Sequence, residues 1–134
     1  MNKKSWKDYN LSAKKLVNIM DELKENLVFV EGKKDREALA AIGVTNVLTV
    51  SGNLRASCNM AQNMEVKKII VLTDLDRRGD ELAKMSVEEL QRYGINANIE
   101  YRKILGGLLN LKHFEDIDRK YLKFLDELEK NNIW

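Results

Sequence analysis

The sequence has no proline, one cysteine and one histidine among 134 residues. A single thiol, Cys58, forms no internal disulfide and offers no zinc-type spacing. The expected compartment is therefore a reducing cytoplasm, with Cys58 a small buried apolar residue rather than a nucleophile. No apolar run approaches the roughly 18 residues needed to span a membrane. The start, Met1 to Lys7, is basic but lacks the apolar stretch of a signal peptide. Aromatics are scarce at 7%, and Tyr9, Tyr93, Tyr101 and Tyr121 are too scattered for a base-stacking platform. Tyr101 is the best placed of them for stacking. Neither sign of charge dominates: 23 Lys and Arg against 21 Asp and Glu leave +2. Only the distribution of charge can then point to a partner. Linkers, repeats and low-complexity segments are also missing.

What is present is 44% hydrophobic and 33% charged residues, well mixed, which fits one globular domain over residues 1–134. Residues 12–26 read as an N-terminal helix, with Ser12 as N-cap and Leu16, Ile19, Met20, Leu23 and Leu27 at helical spacing. Strands and helices then alternate. Strands are expected at 27–30, 46–50, 68–73 and 97–101, and helices at 34–42, 54–64 and 79–93, the last ended by Gly94. Gly106-Gly107 reads as a turn, and residues 117–130 as a closing C-terminal helix. Such alternation demands parallel pairing and right-handed crossovers. The expected fold class is α/β, a three-layer α/β/α Rossmann-like domain of about four parallel strands with flanking helices.

Chemistry gathers where two of these strands end. The apolar run Ile69 to Leu72 leads through Thr73 to Asp74, Leu75 and Asp76, then Arg77, Arg78 and Gly79. The run Leu27 to Val30 leads to Glu31 and Gly32. An Asp after a strand is ordinarily a turn former or a helix cap. Three acids at equivalent ends of two strands, each followed by glycine, cations and a helix, say more. In open α/β sheets the crevice lies beyond the carboxyl ends of the strands, and the acids meet there if the strand order is 2-1-3-4. Clustered carboxylate oxygens suit a hard cation, Mg2+ first. Gly79 permits close backbone approach, and the helix start favours a phosphate oxygen. Glu31, facing other carboxylates, has the raised pKa that suits general acid or base work.

Other α/β families place their acids differently. Haloacid dehalogenase phosphatases carry D-x-D on the first strand. Receiver domains carry an acid pair on the first strand and one Asp on the third. The segments Val28-Phe29-Val30-Glu31-Gly32-Lys33-Lys34-Asp35 and Thr73-Asp74-Leu75-Asp76-Arg77-Arg78-Gly79-Asp80-Glu81 resemble the Toprim domain. This module is shared by topoisomerases, bacterial-type primases and small ribosomal-RNA maturase nucleases. The resemblance covers about residues 27–105, with Leu75 where the family often has proline. It implies Glu31 as general acid/base and Asp74 and Asp76 as ligands of Mg2+, for which Mn2+ can substitute.

Cations are expected on the same rim: Lys33, Lys34 and Arg36 after Glu31, Arg55 after the second strand, Arg77 and Arg78 after the aspartates, and Arg102 with Lys103 after the fourth strand. Singly these are ordinary solvated residues; together they suit a phosphodiester backbone. Lys112 reaches a phosphate if the last connection folds back over the site. The neighbouring His113, Glu115 and Asp116 read by default as a structural and capping segment before the closing helix. Ile133 and Trp134 read either as contacts for a partner or second copy, or as folded back.

The function expected is a small Mg2+-dependent nuclease acting on nucleic acid, with RNA ahead of DNA by analogy of size with the ribosomal-RNA maturases. The alternative is a non-catalytic or partner-dependent nucleic-acid-binding module, as a homodimer or in a larger complex.

Overall fold

The computed structural model describes residues 6–130, with side chains described from residue 8 onward. Ile133 and Trp134 lie outside the described residues. The elements run α1 (Trp6–Glu25), β1 (Leu27–Val30), α2 (Lys33–Ala41), β2 (Val47–Thr49), α3 (Leu54–Asn63), β3 (Lys68–Val71), α4 (Arg77–Arg92), β4 (Asn96–Asn98) and α5 (Glu100–Leu109). A 3-10 turn (Phe114–Asp116) then leads into α6 (Ile117–Lys130).

The strands pair in parallel in the order β2-β1-β3-β4, as the meeting of the acids requires. β1 and β3 sit at the centre, with Val28 opposite Ile70. Leu27, Phe29, Ile69 and Val71 face a core shared with α3 and α4. Val28, Val30, Ile70 and Leu72 face a second core shared with α1, α2, α5 and α6. Both faces are covered, so both strands read as unbroken apolar runs rather than alternating ones. Removing each such side chain from water contributes about 1.5–3 kcal/mol, which fixes these two strands, and the acids behind them, in the middle of the molecule.

From β1 the chain passes through α2 to β2 on one side; from β3 it passes through α4 to β4 on the other. The winding reverses between β1 and β3, and a crevice opens at that point beyond their carboxyl ends. Glu31 and the Asp74–Asp76 segment follow directly.

Three local expectations are corrected. α1 already runs from Trp6, so Ser12 lies inside it and is not its N-cap; Tyr9 extends the core-facing side by another turn. β4 stops at Asn98, where a strand to 101 was expected. The Asn98 side chain accepts the N–H groups of Glu100 and Tyr101, each at 3.0 Å, and turns the chain into α5. Gly106-Gly107 lies within that helix instead of making a turn. A Cβ at Gly106 would overlap the Leu75 side chain and sit 3.2 Å from the Leu111 carbonyl oxygen. Close approach to the D-x-D segment therefore outweighs the ~1 kcal/mol that glycine costs in a helix.

Candidate functional site

Glu31 and Asp74 are joined directly: Glu31 Oε2 accepts the Asp74 backbone N–H at 2.7 Å. The Asp74 carboxylate is held at both oxygens. Oδ1 accepts the Phe114 N–H at 2.9 Å, and Oδ2 lies 3.3 Å from His113 Nδ1. Asp76 Oδ1 accepts the Gly79 N–H at 2.7 Å and caps α4. Its other oxygen lies 3.9 Å from His113 Nδ1. The ordinary capping role engages one oxygen of this carboxylate and leaves the other turned toward His113. Asp74, Asp76 and His113 each offer one ligand atom, all within 4.8 Å of one another. Two carboxylate oxygens and an imidazole nitrogen at that spacing fit a single divalent cation.

The D-x-D segment is braced on three sides. Thr73, fully buried, donates its hydroxyl to the Gly79 carbonyl at 2.6 Å. Leu75 donates its N–H to the Lys112 carbonyl at 2.7 Å, so the connection after α5 does fold back over the site. Arg102, 2% exposed, donates from Nε to the Thr73 carbonyl at 3.0 Å. Its Nη2 reaches the Asp74 carbonyl at 2.6 Å and Asp80 Oδ1 at 2.7 Å. A buried guanidinium needs such partners. Arg102 was expected on the rim; it is an internal brace because residues 100–109 are helix and its face carries Leu105 and Leu109.

Crowded acids shift one another. Burial is the main cause that raises the Glu31 pKa; the Asp74 N–H opposes it, and the Asp74 and Asp76 charges add to it. Asp35, 7% exposed, accepts the Gly32 N–H at 3.0 Å. Its pKa is also raised, first by burial, against the Gly32 bond, with Asp74 and Glu115 adding and His113 opposing. A raised carboxyl pKa contributes stability below the unfolded value, and that contribution is lost as pH rises through the folded value. Glu31→Gln, which removes this loss, is therefore expected to gain stability over wild type as pH climbs above the ordinary glutamate range. Thermal melts of chelator-treated protein check it, and a gap that shrinks with rising pH contradicts it.

The cations are less concentrated than their sequence positions suggest. Lys33 lies 3.9 Å from Glu37, and Arg77 3.5 Å from Glu81, each an exposed pair along its own helix. Such pairs are weak and readily exchanged for a phosphate. Arg36, Arg78 and Lys112 are exposed. Lys34 borders a cleft otherwise lined by Glu37, Ala38, Glu115, Asp116 and Asp118. Arg55 is not brought to the acids: it lies 3.8 Å from Glu89, in the last turn of α4, whereas the acids sit at the first. The Gly79 N–H is engaged by Asp76 and is not available to an anion. Tyr101 turns away from the rim: its ring centre is 5.7 Å from Lys68 Nζ, at the start of β3. Cys58 is fully buried, and burial chiefly pushes its thiol to about 11.

Sequence reads His113 only as part of a structural segment, Arg102 only as a rim cation and Asp35 only as part of a motif. A helical reading of 100–109 would have put Arg102 on the apolar side. Nothing local marks His113; tertiary folding alone brings it to the aspartates. Among the described residues no helix is long and apolar enough to cross a membrane.

Comparison with known proteins agrees with this fold. The family described as Toprim domain matches residues 26–105. A UPF0292 protein of Methanocaldococcus jannaschii is 37% identical over 94 residues, which cover 66% of this chain and 73% of that one. A UPF0292 protein of Archaeoglobus fulgidus is 37% identical over 111 residues, 78% of this chain and 87% of that one. A solved structure of a protein from Aquifex aeolicus superposes with a TM-score of 0.67 at 29% identity, covering 75% of this chain and 96% of that one.

Proposed function

The chain belongs to the Toprim domain family, and from that premise we propose that it is a metal-dependent nuclease, with RNA ahead of DNA as substrate. The family supports the coarser statement, a metal-dependent function connected with nucleic acid. The finer reading rests on one observation: Glu31, Asp74 and Asp76 converge where the winding of the sheet reverses, with Glu31 bonded to the Asp74 backbone at 2.7 Å.

In this reading residues 27–105 are the catalytic core of a single domain, flanked by the N-terminal helix α1 and the C-terminal helix α6. Asp74 and Asp76 hold the metal, Mg2+ or Mn2+. When bound, the ion supplies Lewis acidity toward the scissile phosphate and offsets its charge. Glu31 keeps Oε2 on the Asp74 N–H and uses its other oxygen to take or give a proton at the attacking or departing oxygen. Its raised pKa lets it hold that proton closer to neutral pH than a solvated glutamate would. Lys33, Arg77, Arg78 and Lys112 stand exposed around the crevice and position flanking phosphates. Thr73, Gly79 and Arg102 hold the metal-binding segment still, so little reorganisation is left for the moment of reaction.

One observation favours a second reading, a partner-dependent binding module. The acids beside Lys34 would repel a phosphate backbone along that flank. The two separate on purified chain incubated with structured RNA, single-stranded DNA and supercoiled plasmid, with divalent metal or with chelator. The nuclease reading expects metal-dependent cleavage of at least one polymer. Binding without cleavage, by folded protein in either Mg2+ or Mn2+, contradicts it.

A further inference from the structure

We propose that His113 is a third, nitrogen ligand of the metal, and that it tunes the site toward a first-row transition ion such as Mn2+ over Mg2+. This rests on the reading of Asp74 and Asp76 as metal ligands.

The placement of His113 is built, not incidental. On one side, the Lys112 carbonyl accepts the Leu75 N–H at 2.7 Å. On the other, the Phe114 N–H donates to Asp74 Oδ1 at 2.9 Å, and the Phe114 ring is fully buried. The backbone on either side of His113 is therefore clamped, to the Leu75 N–H before it and to the Asp74 carboxylate after it. Between the clamps, Nδ1 is aimed at Asp74 Oδ2, 3.3 Å away, and at Asp76 Oδ2, 3.9 Å away. Two ligands of one octahedral ion with bonds near ~2.1 Å lie about 3–4 Å apart, so these separations need only small adjustment. His113 also lies beyond residues 26–105, the stretch matched by the domain family. The nitrogen is thus supplied by the segment that joins α5 to α6.

The chemistry sets the consequence. Mg2+ takes oxygen donors and keeps several waters, so an imidazole adds little to its binding. Borderline ions of the first transition row accept imidazole readily and bind tighter for it. A histidine that merely orients Asp74 would behave differently. Its loss would weaken both ions alike and would leave no nitrogen on the metal.

The test uses the full chain stripped with chelator, titrated calorimetrically with Mn2+ and with Mg2+. Wild type, His113→Ala, His113→Gln and Asp74→Asn are compared, with circular dichroism melts to verify folding. His113→Ala is expected to weaken Mn2+ binding about tenfold or more and Mg2+ binding less than about threefold. Pulsed electron paramagnetic resonance of bound Mn2+ is expected to show a directly coordinated nitrogen in wild type and none in His113→Gln. Asp74→Asn is expected to weaken both ions. If Asp74→Asn weakens both but the Mn2+ to Mg2+ ratio survives loss of His113, or no nitrogen is seen, the histidine assignment alone is overturned. If Asp74→Asn changes neither affinity, or wild type binds neither ion, the underlying metal site falls with it.

Discussion

Gly79→Ala is expected to destabilise the protein by at least about 3 kcal/mol, and in a domain of this size to leave much of it unfolded. The cause is purely steric. A Cβ at residue 79 would overlap the Asp74 carbonyl oxygen and lie 2.5 Å from the carbonyl carbon and 2.9 Å from the Asp74 nitrogen. All three are backbone atoms, and none can swing aside as the end of a long side chain can. That carbonyl is held by Arg102 at 2.6 Å, and that nitrogen by Glu31 at 2.7 Å. Moving the start of α4 instead would break the Gly79 N–H bond to Asp76. Every route of relief disturbs the acid cluster. Gly107→Ala is the control, because a Cβ there meets nothing within 4 Å; helix propensity alone makes that change stabilising by up to about 1 kcal/mol. Urea unfolding of the two variants checks both signs. A cost below about 1 kcal/mol at Gly79 would mean that α4 does not lie against the Asp74 backbone.

Glu31→Gln carries the second large effect, on rate rather than fold. The amide oxygen can still accept the Asp74 N–H, so the join between β1 and the D-x-D segment survives. On the proposed mechanism, a proton can no longer be exchanged with the reacting oxygen. Loss of a positioned general acid or base lowers turnover by about 10²–10⁴. Metal affinity should change less than about threefold, because the ligand atoms lie on other residues. Single-turnover cleavage together with metal titration separates the two quantities. A variant that cleaves within a few-fold of wild type removes Glu31 from the chemistry. One that loses metal and activity together makes it a ligand instead.

Much of this was legible because it follows from pattern. Val28-Phe29-Val30 and Ile69-Ile70-Val71 are apolar on both faces, which only a central parallel strand explains, and the acids behind them need β1 beside β3. What escaped was written in tertiary contacts. Gly106-Gly107 looks like a turn in isolation; Gly106 is there because Leu75 packs against α5. Arg102 looked like a rim cation until the segment around it became helical and turned it inward. His113 sits 39 residues from Asp74 in sequence, with no spacing to betray the pairing. Arg55 follows its strand as expected, yet Glu89 draws it toward the far end of α4. The two central strands are readable because burial dictates them; the reach of a long exposed side chain is decided by whichever charge it meets.

Whether the acids closing β1 and β3 form a metal site is read out by crystals soaked in Mn2+ and measured at its absorption edge. One dominant anomalous peak is expected within about 2.3 Å of carboxylate oxygens from both Asp74 and Asp76, lost in Asp74→Asn. A peak elsewhere, or none at millimolar Mn2+ with the wild-type chain intact, would contradict it.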